Sequence, residues 1–126
     1  MPNSYPKVLK TIGDHIRAWR IKNNVTQSKL ATLLRVSEDT IVGWEKNRNT
    51  PTFRQMPAIT ELLGYLPVKI DMSCVGGRVL QFRYLNGLSP KDFGRLINTD
   101  PSTVRSWENN TQFPSFKKLL VIEGII

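Results

Sequence analysis

Apolar residues recur at helical spacing from near the start of the chain. Ile12, Ile16 and Trp19 fall at i, i+4 and i+7 and share one face of a helix, which the pattern places over about Thr11 to Lys22. Asn24 follows, a residue that tolerates the left-handed conformation just past a helix end. Thr26 then offers a capping oxygen to a second helix, QSKLATLL. Ser37 caps a third, which ends near Asn47, and Pro51 stops any continuation. A fourth helix runs from Phe53 towards Leu63. No stretch alternates as a strand would, so the pattern predicts an all-α chain.

The same pattern then repeats. TIVGWEKNRNTP runs from Thr40 to Pro51 and TVRSWENNTQFP from Thr103 to Pro114, with Trp44 and Trp107 63 positions apart. At that offset the halves align without a gap from Gly13/Gly76 to Leu63/Ile126, with identities that include Arg20/Arg83, Leu33/Leu96, Glu45/Glu108, Asn47/Asn110 and Phe53/Phe116. Self-similarity held in register over this length predicts two units of one fold. The differences are informative too. Gly87 stands where Asn24 does, so the backbone demand is kept while the residue changes. Ser89 and Asp100 take the capping positions, and Pro90 and Pro101 sit in first turns, where a missing N–H costs nothing. The expected division is 1–63 and 76–126 with a linker over 64–75. Tyr65, Leu66, Val68, Ile70 and Met72 make that stretch too apolar for a free linker, so it should pack on one or both units.

Charge narrows the partners. Eighteen Lys and Arg against ten Asp and Glu give +8, an excess that concentrates polyanions around the protein. Residues 1–63 carry +5 and 64–126 carry +3, so both halves are basic. No apolar run approaches a membrane span, and the N-terminal residues lack a secretory signal. The single cysteine, Cys74, excludes an intramolecular disulfide and a multi-cysteine metal site. His15 has no ligand partner near it in sequence. A cytoplasmic, nucleoid-associated protein is expected, with no membrane, small-molecule ligand, metal or cofactor. No nucleophile stands beside a base and no carboxylate pair has plausible spacing, so it is not expected to be an enzyme.

Helix, tight turn, helix over about twenty residues is the pattern of a helix-turn-helix. Its packing demands can be followed from Gln27 as position one. Position five must be small where the helices cross, and holds Ala31 and Gly94. Positions four, eight, ten, fifteen and eighteen must be apolar. They hold Leu30, Leu34, Val36, Ile41 and Trp44, then Phe93, Ile97, Thr99, Val104 and Trp107. Position nine, in the turn, prefers Gly but holds Arg35 and Asn98. VTQSKLATLLRVSEDTIVGWEKNRNTP resembles the Cro/phage-repressor (XRE) type of helix-turn-helix domain, densely in the first unit and more loosely in the second. The resemblance implies two small helical bundles of the lambda-repressor-like type, sequence-specific binding of double-stranded DNA in transcription control, and no catalysis. It also implies structural salt bridges Arg20–Glu45 and Arg83–Glu108, tying the first helix of each unit to the third.

Contacts that position should come from the start of helix two, where Gln27 and Ser28 stand in one unit and Lys91 in the other, and from Lys46, Arg48 and Asn49 behind helix three. Contacts that specify should come from the exposed start of helix three: Ser37, Glu38, Asp39, Thr40, Val42 and Gly43. Glu and Asp repel phosphates but accept from cytosine N4. Gly43 lacks reach, lowers helix propensity by about 1 kcal/mol relative to Ala, and would let a backbone approach. Unit two offers Ser102, Thr103, Arg105, Ser106 and Asn109, with Arg105 suited to guanine and Asn109 to adenine. Trp19, Trp44 and Trp107 read as core.

Single-unit relatives usually dimerise on two half-sites. This chain would carry both readers covalently and read an asymmetric site, a homodimer being the other arrangement. A dozen extended residues span at most about 40 Å, enough for the ~34 Å between adjacent half-sites. The alternative function is a protein-interaction module, such as an antitoxin-like partner protein in which the apolar LLVIEGII covers another chain and one unit does not read DNA.

Overall fold

The structure is a computed structural model that describes residues 8–126, so the expected start of unit one at residue 1 lies outside it. Among the described residues every regular element is helical. α1 spans Ile12–Lys22, α2 Gln27–Leu34, α3 Glu38–Glu45 and α4 Met56–Leu63. α5 spans Val75–Asn86, α6 Pro90–Ile97, α7 Pro101–Glu108 and α8 Phe116–Ile125. The chain divides into two compact units between Val68 and Lys69. In unit one α3 packs on α1 and α2, and α1 on α4. In unit two α7 packs on α5 and α6, and α8 on α6. No helix is long and apolar enough to cross a membrane.

Local chemistry sets the helix starts. Thr11 accepts from the Asp14 N–H at 3.0 Å while the Asp14 carboxylate accepts from the Thr11 N–H at 3.2 Å, a reciprocal capping box. Ser89 and Asp92 form the same box on α6, both bonds 3.0 Å. Thr26, Ser37 and Ser115 cap α2, α3 and α8. Asp100 makes no side-chain cap on α7, and its carboxylate stays exposed.

The helix ends share one device. Asn24 and Gly87 are left-handed after α1 and α5, Arg35 and Asn98 after α2 and α6, and Asn47 and Asn110 after α3 and α7. The unfavourable turn residue Arg35 thus adopts φ 58° and ψ 44°, matching Asn98 at 55° and 55°. The third helices end at Glu45 and Glu108, two residues before the expected Asn47 and Asn110, because the asparagines turn the chain out of the helix.

Two glycines mark where helices touch. A Cβ on Gly13 would collide with the carbonyl oxygen of Trp44, and one on Gly76 with that of Trp107, so α1 and α5 lie directly on the ends of α3 and α7. Gly77 lies equally close to the Asp71 carbonyl. The pair Gly76–Gly77 is therefore a buried first turn of α5, not a hinge. The stretch read as a linker is shared between the units, with Pro67 buried in the first and the Asp71–Cys74 turn leading into α5 in the second.

The fourth helix differs between units. In unit one residues Phe53–Gln55 form a 3-10 turn before α4, whereas α8 is α-helical from Phe116. Pro57 explains this: it has no N–H to donate to Phe53, and the matching residue is Leu120. Unit one buries Ile16, Leu30, Ile41, Trp44, Met56 and Ile59. Unit two buries Val79, Phe93, Ile97, Val104, Trp107 and Ile122. Trp19 is only half-buried, so of the three tryptophans two are fully core.

Candidate nucleic-acid interface

The best-fixed polar groups in each unit lie behind the third helix. Arg20 Nε donates to Glu45 Oε2 at 2.6 Å and Nη2 to Oε1 at 2.8 Å, while Nη1 donates to the Val25 carbonyl at 3.1 Å. Arg83 repeats this: Nε to Glu108 Oε2 at 2.5 Å, Nη2 to Oε1 at 2.6 Å, and Nη1 to the Leu88 carbonyl at 2.9 Å. A bidentate fork of this kind fixes orientation as well as distance. It ties α1 to α3 and α5 to α7, and the third donor pins the loop before α2 or α6. The carboxylate beside Arg20 holds its guanidinium pKa above the ordinary arginine value, against the opposing effect of burial. The second pair is drier, with the Arg83 side chain 2% exposed against 17% for Arg20.

On this frame α3 and α7 present their outer faces. Ser37, Glu38 and Asp39 are exposed at the start of α3, and Lys46, Arg48 and Asn49 are exposed behind it. Ser28 is exposed on α2. Thr40 is half-buried, its hydroxyl 2.8 Å from Ser37 Oγ. In unit two Lys91, Ser102, Arg105 and Asn109 are exposed, and Thr103 and Ser106 are half-buried. Ser106 Oγ donates to the Ser102 carbonyl at 3.0 Å.

Three expected contacts change character. Gly43 is buried beneath Asn49, whose amide nitrogen lies 2.6 Å from where a Cβ would stand. Its carbonyl accepts from the backbone N–H of Arg48 at 2.9 Å. It serves the loop after α3 and offers no open surface to a DNA backbone. Gln27 turns inward, its Nε2 donating to Glu45 Oε1 at 3.2 Å, so its amide N–H is engaged in the salt-bridge network. Asn109 Oδ1 accepts from the Thr111 N–H at 3.1 Å and hydroxyl at 2.7 Å. Bidentate adenine recognition needs that oxygen as acceptor, and here the turn uses it.

Two residues gain a place that the motif did not give them. Arg95 is exposed one helical turn after Lys91 on α6, and both line a groove of about 480 Å³ with Thr99 and Pro101. The i, i+4 spacing was the available signal. Lys118 Nζ donates to the Ile97 carbonyl at 2.7 Å and so ties α8 to the end of α6. Nothing in the local sequence marks it, because its counterpart is Gln55.

No curated protein and no solved structure matches the chain. Residues 16–70 match the model of the helix-turn-helix family, so the chain carries a helix-turn-helix domain that covers most of unit one.

Proposed function

We propose that this protein binds double-stranded DNA in a sequence-specific manner as a transcriptional regulator of prokaryotic or phage type, with α3 and α7 as the helices that enter the major groove. The observation that carries the reading is the shape of α2–turn–α3, locked from behind by Arg20–Glu45 and repeated in α6–turn–α7 with Arg83–Glu108. The family match over residues 16–70 and the +8 charge support it. Base contacts fall to Glu38 and Asp39 in unit one and to Ser102 and Arg105 in unit two, with Lys46, Arg48 and Lys91 on phosphates. Equilibrium titration of a duplex pool tests the reading. Binding that weakens steeply as salt rises from about 50 to 200 mM supports it, and absence of binding at the lower salt contradicts it.

A second reading has one observation in its favour. Phe113, Phe116 and Leu120 are 74%, 76% and 59% exposed around α8, where unit one carries Thr50, Phe53 and Pro57. Such apolar exposure is what a protein-interaction module would show. Co-purification of one stoichiometric partner chain, with no duplex binding, is its signature.

A further inference from the structure

The repeat supplies an internal comparison that separates the two units. Aligned residues occupy equivalent places, so differences between them are not demanded by the fold. On the second helix, Ser28 and Thr32 of unit one correspond to Lys91 and Arg95 of unit two. On the third, Glu38, Asp39 and Val42 correspond to Pro101, Ser102 and Arg105. Behind the third helix the order reverses, and Lys46 and Arg48 correspond to Asn109 and Thr111. Lys91, Arg95 and Arg105 are all exposed, and so are Glu38 and Asp39. Unit two therefore carries three cations on its two front helices, where unit one has none at those positions and two carboxylates at the start of α3. Asp100, exposed at the start of α7, is the one acidic group facing that side of unit two's turn.

We infer that the units divide the work on DNA, unit two acting as the anchor and unit one as a low-affinity discriminating head. This rests on the DNA-binding reading above. Lys91 and Arg95 lie one turn apart on α6 and suit adjacent phosphates, while Arg105 projects from the middle of α7 towards base edges. In unit one, α3 meets the phosphates with two negative charges, so its approach is penalised unless an amino group such as cytosine N4 accepts the pairing. Lys46 and Arg48 hold the backbone from the far end of that helix.

The test uses the full chain and two variants, K91A/R95A/R105A and E38Q/D39N, all at exposed positions. Each is titrated with random-sequence duplex and with the best duplex selected for wild type, from about 50 to 200 mM salt, after circular dichroism has shown the helices intact. Three lost phosphate contacts reduce the salt-dependent fall in affinity over that range by about forty-fold. The inference expects the first variant to lose that salt dependence and most of its affinity. It expects the second to bind random duplex more tightly and to discriminate less. A first variant with unchanged affinity and slope overturns it, as does an E38Q/D39N protein that binds random duplex no better than wild type. Wild type that binds no duplex at any salt overturns the DNA reading itself, a distinct result.

Discussion

At the residue scale, the turn between α2 and α3 carries a local conflict. Arg35 sits in the left-handed region that Asn98 occupies more readily and Gly most readily of all. Replacing Arg35 with Gly should stabilise unit one by about 1 kcal/mol, read as a rise in the thermal midpoint of its transition. The two arginine–glutamate pairs give a second prediction. Removing one partner of a buried pair leaves the other charge unsatisfied, at a cost of about 3–5 kcal/mol. Arg83→Ala should approach that figure, because Arg83 is 2% exposed, and Arg20→Ala should cost less, because water reaches its side chain. Amide exchange along α5 and α7 against α1 and α3 reports the two losses separately. Equal protection losses in both units would contradict the ranking. Both pairs were legible in the sequence because a whole pair recurred. Gly43 was misread because its burial depends on Asn49, six residues on, folding back over it. Asn109 was misread for a like reason: its amide oxygen closes a turn with Thr111.

At the scale of elements, the helices with local signals were the legible ones. α2, α3, α6 and α7 begin where a capping residue or an early proline places them, and end where a left-handed residue follows. The fourth helix of unit one was less so, since its first turn depends on a missing N–H at Pro57. The tie between α6 and α8 was not legible at all. It is a long-range contact in which the Lys118 ammonium meets the last carbonyls of α6, where a cation is favoured. Lys118→Met keeps the apolar stem and removes the charge. It should destabilise unit two by about 1–2 kcal/mol, seen in denaturant unfolding as a lower midpoint with an unchanged slope. A variant as stable as wild type would show that the bond contributes nothing net.

At the scale of the whole molecule, the account is of two readers in one chain with unlike faces. Linking them makes engagement of the second an intramolecular step at high effective concentration, so loss of either should weaken binding by far more than the loss of one set of contacts. The most direct measurement is a selection from random-sequence duplex DNA at about physiological salt, where non-specific binding is weak, with the retained fragments sequenced. The account predicts two unlike half-sites at a fixed spacing, one of them centred on a guanine that Arg105→Ala ceases to select. A pool that shows no enrichment, from a protein whose helices are intact, would contradict it.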